Sequence, residues 1–150
     1  MVRNALSADV PAIVAVVNDA FQVEREFRRG ERTNAAAIQR LLPELLGFEE
    51  NGRVEGVVHV RVDGSSGYFG ILSVAKSAQG KGVGRRLLDA AEQRCRAAGC
   101  TEMTLSTGEM RTDVIGWYSR LGYALTRSET SNSGAFTRPI TVVHMSKPLQ

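Results

Sequence analysis

Two segments of this 150-residue chain combine residue types and spacing that could do chemistry. The first is Gln79-Gly80-Lys81-Gly82-Val83-Gly84, followed by Arg85 and Arg86. A helix beginning there would present unpaired N–H groups and the positive end of its dipole. Glycine lets a ligand approach that backbone closely. With three cations around the same turn, the segment reads as an anion site of the kind that holds phosphate. The Walker pattern Gly-x-x-x-x-Gly-Lys-Ser/Thr is absent. The dinucleotide pattern Gly-x-Gly-x-x-Gly, begun at Gly80, would need glycine where Arg85 stands. A plain strand–turn–helix connection that holds three glycines is the alternative.

The second segment is Trp117-Tyr118-Ser119-Arg120-Leu121-Gly122-Tyr123. The Tyr118 phenol is a possible proton donor. On an amphipathic helix with Val114, Trp117 and Leu121 it is equally a core aromatic. Glu24, Glu26 and Glu109 are candidate general bases, with solvated surface charge as the other reading. His59 falls on the polar face of a strand and His144 near the end of another. Neither lies in a metal-ligand cluster, so no metal is expected. Cys95 reads as helix packing, and Cys100 has no activating partner.

The composition bounds the chemistry. Charged residues at 23% and hydrophobic residues at 43% suit one globular domain spanning residues 1–150. Nineteen Lys and Arg against sixteen Asp and Glu leave a charge of +3, too weak to argue for nucleic acid. The one basic stripe, Arg25, Arg28, Arg29 and Arg32, is interrupted by Glu24, Glu26 and Glu31. No run approaches the roughly 18 apolar residues a membrane helix needs. The first six residues hold no apolar signal core, and two cysteines without Cys-x-x-Cys spacing suit a reducing compartment. A cytoplasmic protein is expected, without membrane or nucleic-acid partners.

The elements that must position these residues follow from periodicity. Val2–Leu6 reads as a strand, Ser7 as an N-cap and residues 8–21 as a helix with Ile13, Val14, Val17 and Phe21 on one face. Gln22–Arg32 reads as a charged loop, and Thr33 caps a short helix ended by Pro43. Leu45–Glu50 and Arg53–Asp63 form a hairpin about Asn51-Gly52. In its second strand Val54, Val58, Val60 and Val62 share one face, with Arg53, Glu55, His59 and Arg61 on the other. Tyr68–Ala75 is a buried strand. Val83–Ala98 is a strongly amphipathic helix stopped by Gly99. Thr101–Thr107 is a strand, and Thr112–Arg120 a helix. Tyr123–Arg127 and Ile140–Lys147 are strands joined by the Ser/Thr/Gly-rich segment Ser128–Arg138. Helices must cover a central sheet, which makes the fold α/β or α+β.

Gln79-x-x-Gly82-x-Gly84, between a buried strand and a helix, resembles the Gln/Arg-x-x-Gly-x-Gly/Ala signature of the GNAT superfamily of N-acetyltransferases. Trp117 to Tyr123 resembles that family's Phe-Tyr-x-x-x-Gly-Phe motif, and the order of elements is similar from Val2 to Lys147. The resemblance implies a mixed sheet, flanked by helices, with a splayed strand pair at Ile71–Val74 and Met103–Thr107. It implies acetyl-CoA as cosubstrate and an amine acceptor, either a small molecule or a peptide N-terminus. The pyrophosphate would rest on N–H groups of Gly80, Lys81, Gly82, Val83, Gly84 and Arg85, after Gln79. The pantetheine arm would pair with the strand at Leu72, Ser73 and Val74, mainly through Leu72 and Val74. Tyr118 matches the tyrosine that protonates the departing thiolate. Arg111 stands where many members carry an asparagine that contacts the cofactor, so that role is not transferred. A homodimer through the terminal strands is common in the family. The alternative is an acyl-CoA-binding sensor without catalysis, which would not require Tyr118.

Overall fold

The computed structural model describes residues 1–150. Seven strands form one mixed sheet: β1 (Val2–Asn4), β2 (Leu45–Glu50), β3 (Arg53–Asp63), β4 (Ser66–Val74), β5 (Glu102–Gly108), β6 (Ala124–Ser131) and β7 (Ile140–Pro148). Their spatial order is β1-β2-β3-β4-β5-β7-β6, and only β4 and β5 run parallel. Four helices cover it: α1 (Val10–Ala20), α2 (Ala35–Leu41), α3 (Val83–Ala97) and α4 (Thr112–Arg120). The expected α/β class and mixed sheet are observed.

The apolar residues divide into two cores. Val83, Leu87, Leu88, Ala91 and Cys95 of α3 pack with Leu46, Phe48, Val58, Val60, Phe69 and Met103. Val10, Ile13 and Val17 of α1 pack with Ile38 of α2 and with Leu45, Val54 and Val57. The hairpin forms as its turn dictates, with Asn51 and Gly52 both at positive φ (54° and 75°). Gly67 is required by a close approach: a Cβ there would fall 2.5 Å from Cys95 Sγ, so α3 could not lie on the sheet.

Several local expectations are corrected. Ser7 begins a short 3-10 turn, Ser7–Asp9, and does not cap α1. Asp9 organises that turn by accepting from Leu6 N–H (2.7 Å) and Arg3 Nη1 (2.7 Å). Asn34, not Thr33, caps α2 by accepting from Ala37 N–H (2.9 Å). Val54 does not share a face with Val58, because a bulge between Phe48 and Glu49 gives β3 an extra residue. His59 is buried, although its strand face reads as polar. The Glu44 carboxylate meets its Nε2 at 2.9 Å, and Tyr68 packs edge-on against the ring.

One buried polar cluster ties α3 to the far sheet edge. Glu92, 3% exposed, accepts from Tyr123 Oη (2.7 Å) and from Lys147 Nζ (3.1 Å to each oxygen). Burial and the Glu92 carboxylate drive the Tyr123 phenol far above its ordinary range. Replacing Glu92 by Ala strands a buried hydroxyl and a part-buried ammonium. In urea unfolding, Glu92→Ala is expected to lose about 2–4 kcal/mol, a range for buried groups stripped of a charged partner.

Candidate active site

β4 and β5 pair only at Ser66↔Glu102, Gly67↔Met103 and Tyr68↔Thr104. Beyond these residues they separate, and β4 has β3 on one side and no strand on the other from Phe69 to Val74. The divergence coincides with a break in the β3–β4 register between Val57 and His59, where β4 carries Ile71 at φ 46°. That conformation is unusual for a β-branched residue. It is held by packing of Ile71 against the α1 core and by Ser73, whose buried hydroxyl donates to Ile71 O (2.8 Å).

A cavity of about 240 Å³ occupies the gap. Tyr68 and Phe69, neighbours on β4 whose side chains point to opposite faces, both line it. Gly70 makes room for the Tyr68 ring: a Cβ there would meet Tyr68 Oη at 2.6 Å. Leu105–Gly108 of β5, Phe21, Phe136 and Tyr118 complete much of the wall.

Tyr118 packs as a core aromatic and also borders the cavity. It is 8% exposed and packs edge-on against Phe69 and Tyr123 at ring distances of 5.4 and 6.1 Å. Burial pushes its phenol up to about 12, against the opposing pull of the Arg111 charge. The group is therefore a protonated phenol at neutral pH. Trp117 packs at the margin of the α3 core.

The glycine turn is a separate place, since none of Gln79–Arg85 lines that cavity. Gly80 and Gly82 have φ of 80° and 76°, and a Cβ on either would meet nothing within 4 Å. The first helical N–H with a backbone acceptor is that of Arg86, on Gly82 O (3.1 Å); those of Gly80 to Arg85 have none. This bare, convergent backbone fits a pyrophosphate. The surrounding cations are fewer than the sequence suggests. Arg85 bonds Asp89 (3.0 Å) and Arg86 lies over Phe48 (5.1 Å), which leaves Lys81. Gln79 donates to Val74 O (3.2 Å) and so ties the turn to the end of β4. Gly84 differs from its neighbours: it has no positive φ and sits beside Val74 and Trp117. Leu72, Ser73 and Val74 lie on β4 past the divergence, although Ser73's side chain is turned to Ile71.

The base candidates separate clearly. Glu26 and Glu109 are exposed and do not line the cavity. His144 is held by Glu129 (2.7 Å) between β6 and β7, and His59 by Glu44; neither lines it. Glu24 does, but each oxygen is already engaged, Oε1 by Arg28 (3.0 Å) and Oε2 by Arg111 (2.8 Å). Arg111 also reaches Asp113 (3.3 Å), so it stands at the start of α4 as a linker to the segment after α1.

Sequence reasoning passed over Arg28, Arg32, Tyr68 and Phe136 as lining residues. The two segments without a readable pattern, Gln22–Arg32 and Ser128–Arg138, are joined to each other. Arg29 N–H donates to Ala135 O and Thr137 N–H to Phe27 O, both at 2.7 Å, and Arg28 bridges Phe136. Only the i, i+4 spacing of Arg28 and Arg32 hinted that two cations would converge.

A model of the acetyltransferase (GNAT) family matches residues 11–123, which takes in both motifs. The chain belongs to the GNAT acetyltransferase family. It is 27% identical over 118 residues to an IAA acetyltransferase of Azospirillum brasilense, covering 75% of this chain and 77% of that one. Its fold is similar to that of ribosomal-protein-alanine N-acetyltransferase from Brucella melitensis, with TM-score 0.82, 21% identity and 99% of each chain covered. It is also similar to yncA from Salmonella typhimurium, solved with acetyl-CoA (TM-score 0.76, 24% identity, 100% of this chain and 94% of that one). This GNAT protein is thus an acetyl-CoA-dependent acetyltransferase. No helix in it is long and apolar enough to cross a membrane.

The burial of Tyr118 yields a direct measurement. The phenolate absorbance that Tyr118→Phe removes should be small at about pH 10, where an exposed tyrosine is half ionised, and rise toward pH 12. Tyr118 and Tyr123 both hold their protons more tightly folded than unfolded. Stability from these two groups is therefore intact below about pH 10, the unfolded value, and declines as pH rises above it.

Proposed function

We propose that this protein acetylates an amine acceptor by direct attack, with Tyr118 as the general acid. The observation that carries the reading is a protonated, nearly buried phenol facing the cavity in the β4–β5 gap. Bound acetyl-CoA supplies an activated acetyl group: the acceptor nitrogen forms a C–N bond to the carbonyl carbon, the C–S bond breaks and the sulfur departs with the electron pair. Tyr118 gives its proton to that sulfur. Its raised affinity for a proton keeps it loaded, and its burial limits contact with solvent.

The cavity holds no free carboxylate or imidazole, so the proton released by the nitrogen leaves through water. The free edge of β4 at Leu72 and Val74 is where the pantetheine arm would pair. Release of Val74 O from Gln79 would open one acceptor there. The N–H groups of Gly80, Lys81, Gly82, Val83, Gly84 and Arg85 would hold the pyrophosphate, with Gln79 fixing the turn.

Thiol release from acetyl-CoA with a panel of amines tests the reaction. Tyr118→Phe is expected to lower kcat about 100-fold or more, within the range for general acid catalysis, with KM for acetyl-CoA little changed. A Phe variant that turns over at the wild-type rate would rule out the acid role. Gly82→Val should do the reverse. A β-branched residue at φ 76° distorts the turn, so KM for acetyl-CoA should rise about tenfold or more while Tyr118 remains in place.

A further inference from the structure

The acceptor side of the cavity has an unbalanced charge. Three arginines, Arg28, Arg32 and Arg111, line it against a single carboxylate, Glu24. Each nitrogen of Arg111 has a carboxylate partner, Nη1 on Glu24 and Nε and Nη2 on Asp113. Arg28 gives one nitrogen to Glu24, and its Nε is buried with no acceptor. Arg32 has neither a hydrogen bond nor an ion pair, and its Nε is also buried without a partner. Its guanidinium lies over the Phe21 ring (5.1 Å), while that of Arg28 lies over Phe136 (4.8 Å). Two aromatic faces therefore hold two forks, one of which the protein uses only through its bond to Glu24 and the other not at all. A second, more polar cavity lies beside the first, and Arg28 and Arg32 line both. Both guanidinium groups are part-buried and incompletely paired, so an anion from outside the chain would complete their pairing.

We propose that Arg32, assisted by Arg28, binds an oxyanion carried by the acceptor, which is thus a small amine of the amino-acid class. This rests on the reading of the cavity as the acceptor site of an acetyltransferase. The CoA pyrophosphate is not the anion in question, because the unpartnered N–H groups of Gly80 to Arg85 lie outside this cavity. The small size of the acceptor follows from the wall. The Arg28–Phe136 bridge and the two 2.7 Å bonds beside it join the segments that would otherwise part for a polypeptide. A guanidinium suits a carboxylate because its fork makes two parallel charge-assisted bonds.

The test measures binding by calorimetry to CoA-saturated protein and turnover by thiol release from acetyl-CoA. The probes are the protein α-amino acids, each beside its carboxamide, with aminomethylphosphonate as a phosphorus oxyanion. At least one acid should exceed its carboxamide in affinity and kcat/KM by about 10–100-fold, the worth of a charge-assisted pair. Preference for the phosphonate over every carboxylate would identify a phosphorus oxyanion as the recognised group. Arg32→Gln should abolish the preference by weakening the anionic probe alone, and Arg32→Lys should restore part of it. Because Arg32 makes no polar contact and has only its stacking on Phe21 to lose, Arg32→Gln should melt within about a few degrees of the wild type. Carboxamides acetylated as well as the acids would overturn the inference and leave acetyl transfer standing. Arg32-dependent binding of an acid without thiol release would uphold the anion site and sink the acetyl-transfer reading. No binding of any anionic probe, or Arg32→Gln binding like the wild type, would overturn the inference.

Discussion

Beyond Tyr68, β4 keeps β3 on one side and loses β5 on the other, and both halves of the site depend on that divergence. A strand with an open edge inside a sheet carries backbone groups that need partners. The cavity and the free edge are two aspects of the same gap. What turns β4 away from β5 is local: the irregular register opposite Val58 and Ile71 at positive φ, which increase the strand's twist. A residue of this type in that region costs of order 1–3 kcal/mol and persists where its surroundings hold it. Here the α1 core grips the Ile71 side chain and Ser73 bonds its carbonyl. The strain is thus maintained by packing on the far side of the sheet.

The same gap brings α4 and the segment after α1 into one site. Arg111, at the start of α4, bonds Glu24, which follows α1 by only a few residues. These elements are otherwise separated by the sheet, and the ion pair crosses where the sheet is open. Tyr118 is held from the other direction by Phe69 and Tyr123, so its phenol enters the cavity from the α3 core. The residues that fix the site therefore come from both cores, and neither core alone would define it.

Much of this was legible in the sequence, for identifiable reasons. The Asn51-Gly52 hairpin, the amphipathic α3 and the unpartnered glycine turn are local features whose signals lie within a few residues. Tyr118 was found by its motif, because its helical spacing alone is that of a core aromatic. What was hidden depended on distant partners or on bulges. His59 sits on a polar-looking face, but Glu44 and Tyr68 cover it. Val54 changes face through a one-residue insertion that strict alternation cannot register. Arg85 and Arg86 looked like phosphate ligands by proximity, yet Asp89 and Phe48 draw them aside. The wall built from Gln22–Arg32 and Ser128–Arg138 joins residues more than a hundred positions apart through backbone bonds, which carry no side-chain code.

The two buried carboxylates make the contrast between framework and function explicit. Glu92 gathers Tyr123 and Lys147, and Arg96 approaches at 3.5 Å, so the cluster is closed: each donor meets the carboxylate it needs. Such a group fixes the position of α3 and offers nothing to a ligand. Glu24 also gathers cations, but there they outnumber it, and the surplus sits on Arg28 and Arg32 at the cavity wall. The Phe21 ring attracts the Arg32 guanidinium, but its buried Nε goes without an acceptor, which is unfavourable. On the proposed reading, an anion would complete the open cluster. Arg28 and Arg32 line the same cavity as Tyr118, so on that reading the anion would belong to the molecule to be acetylated.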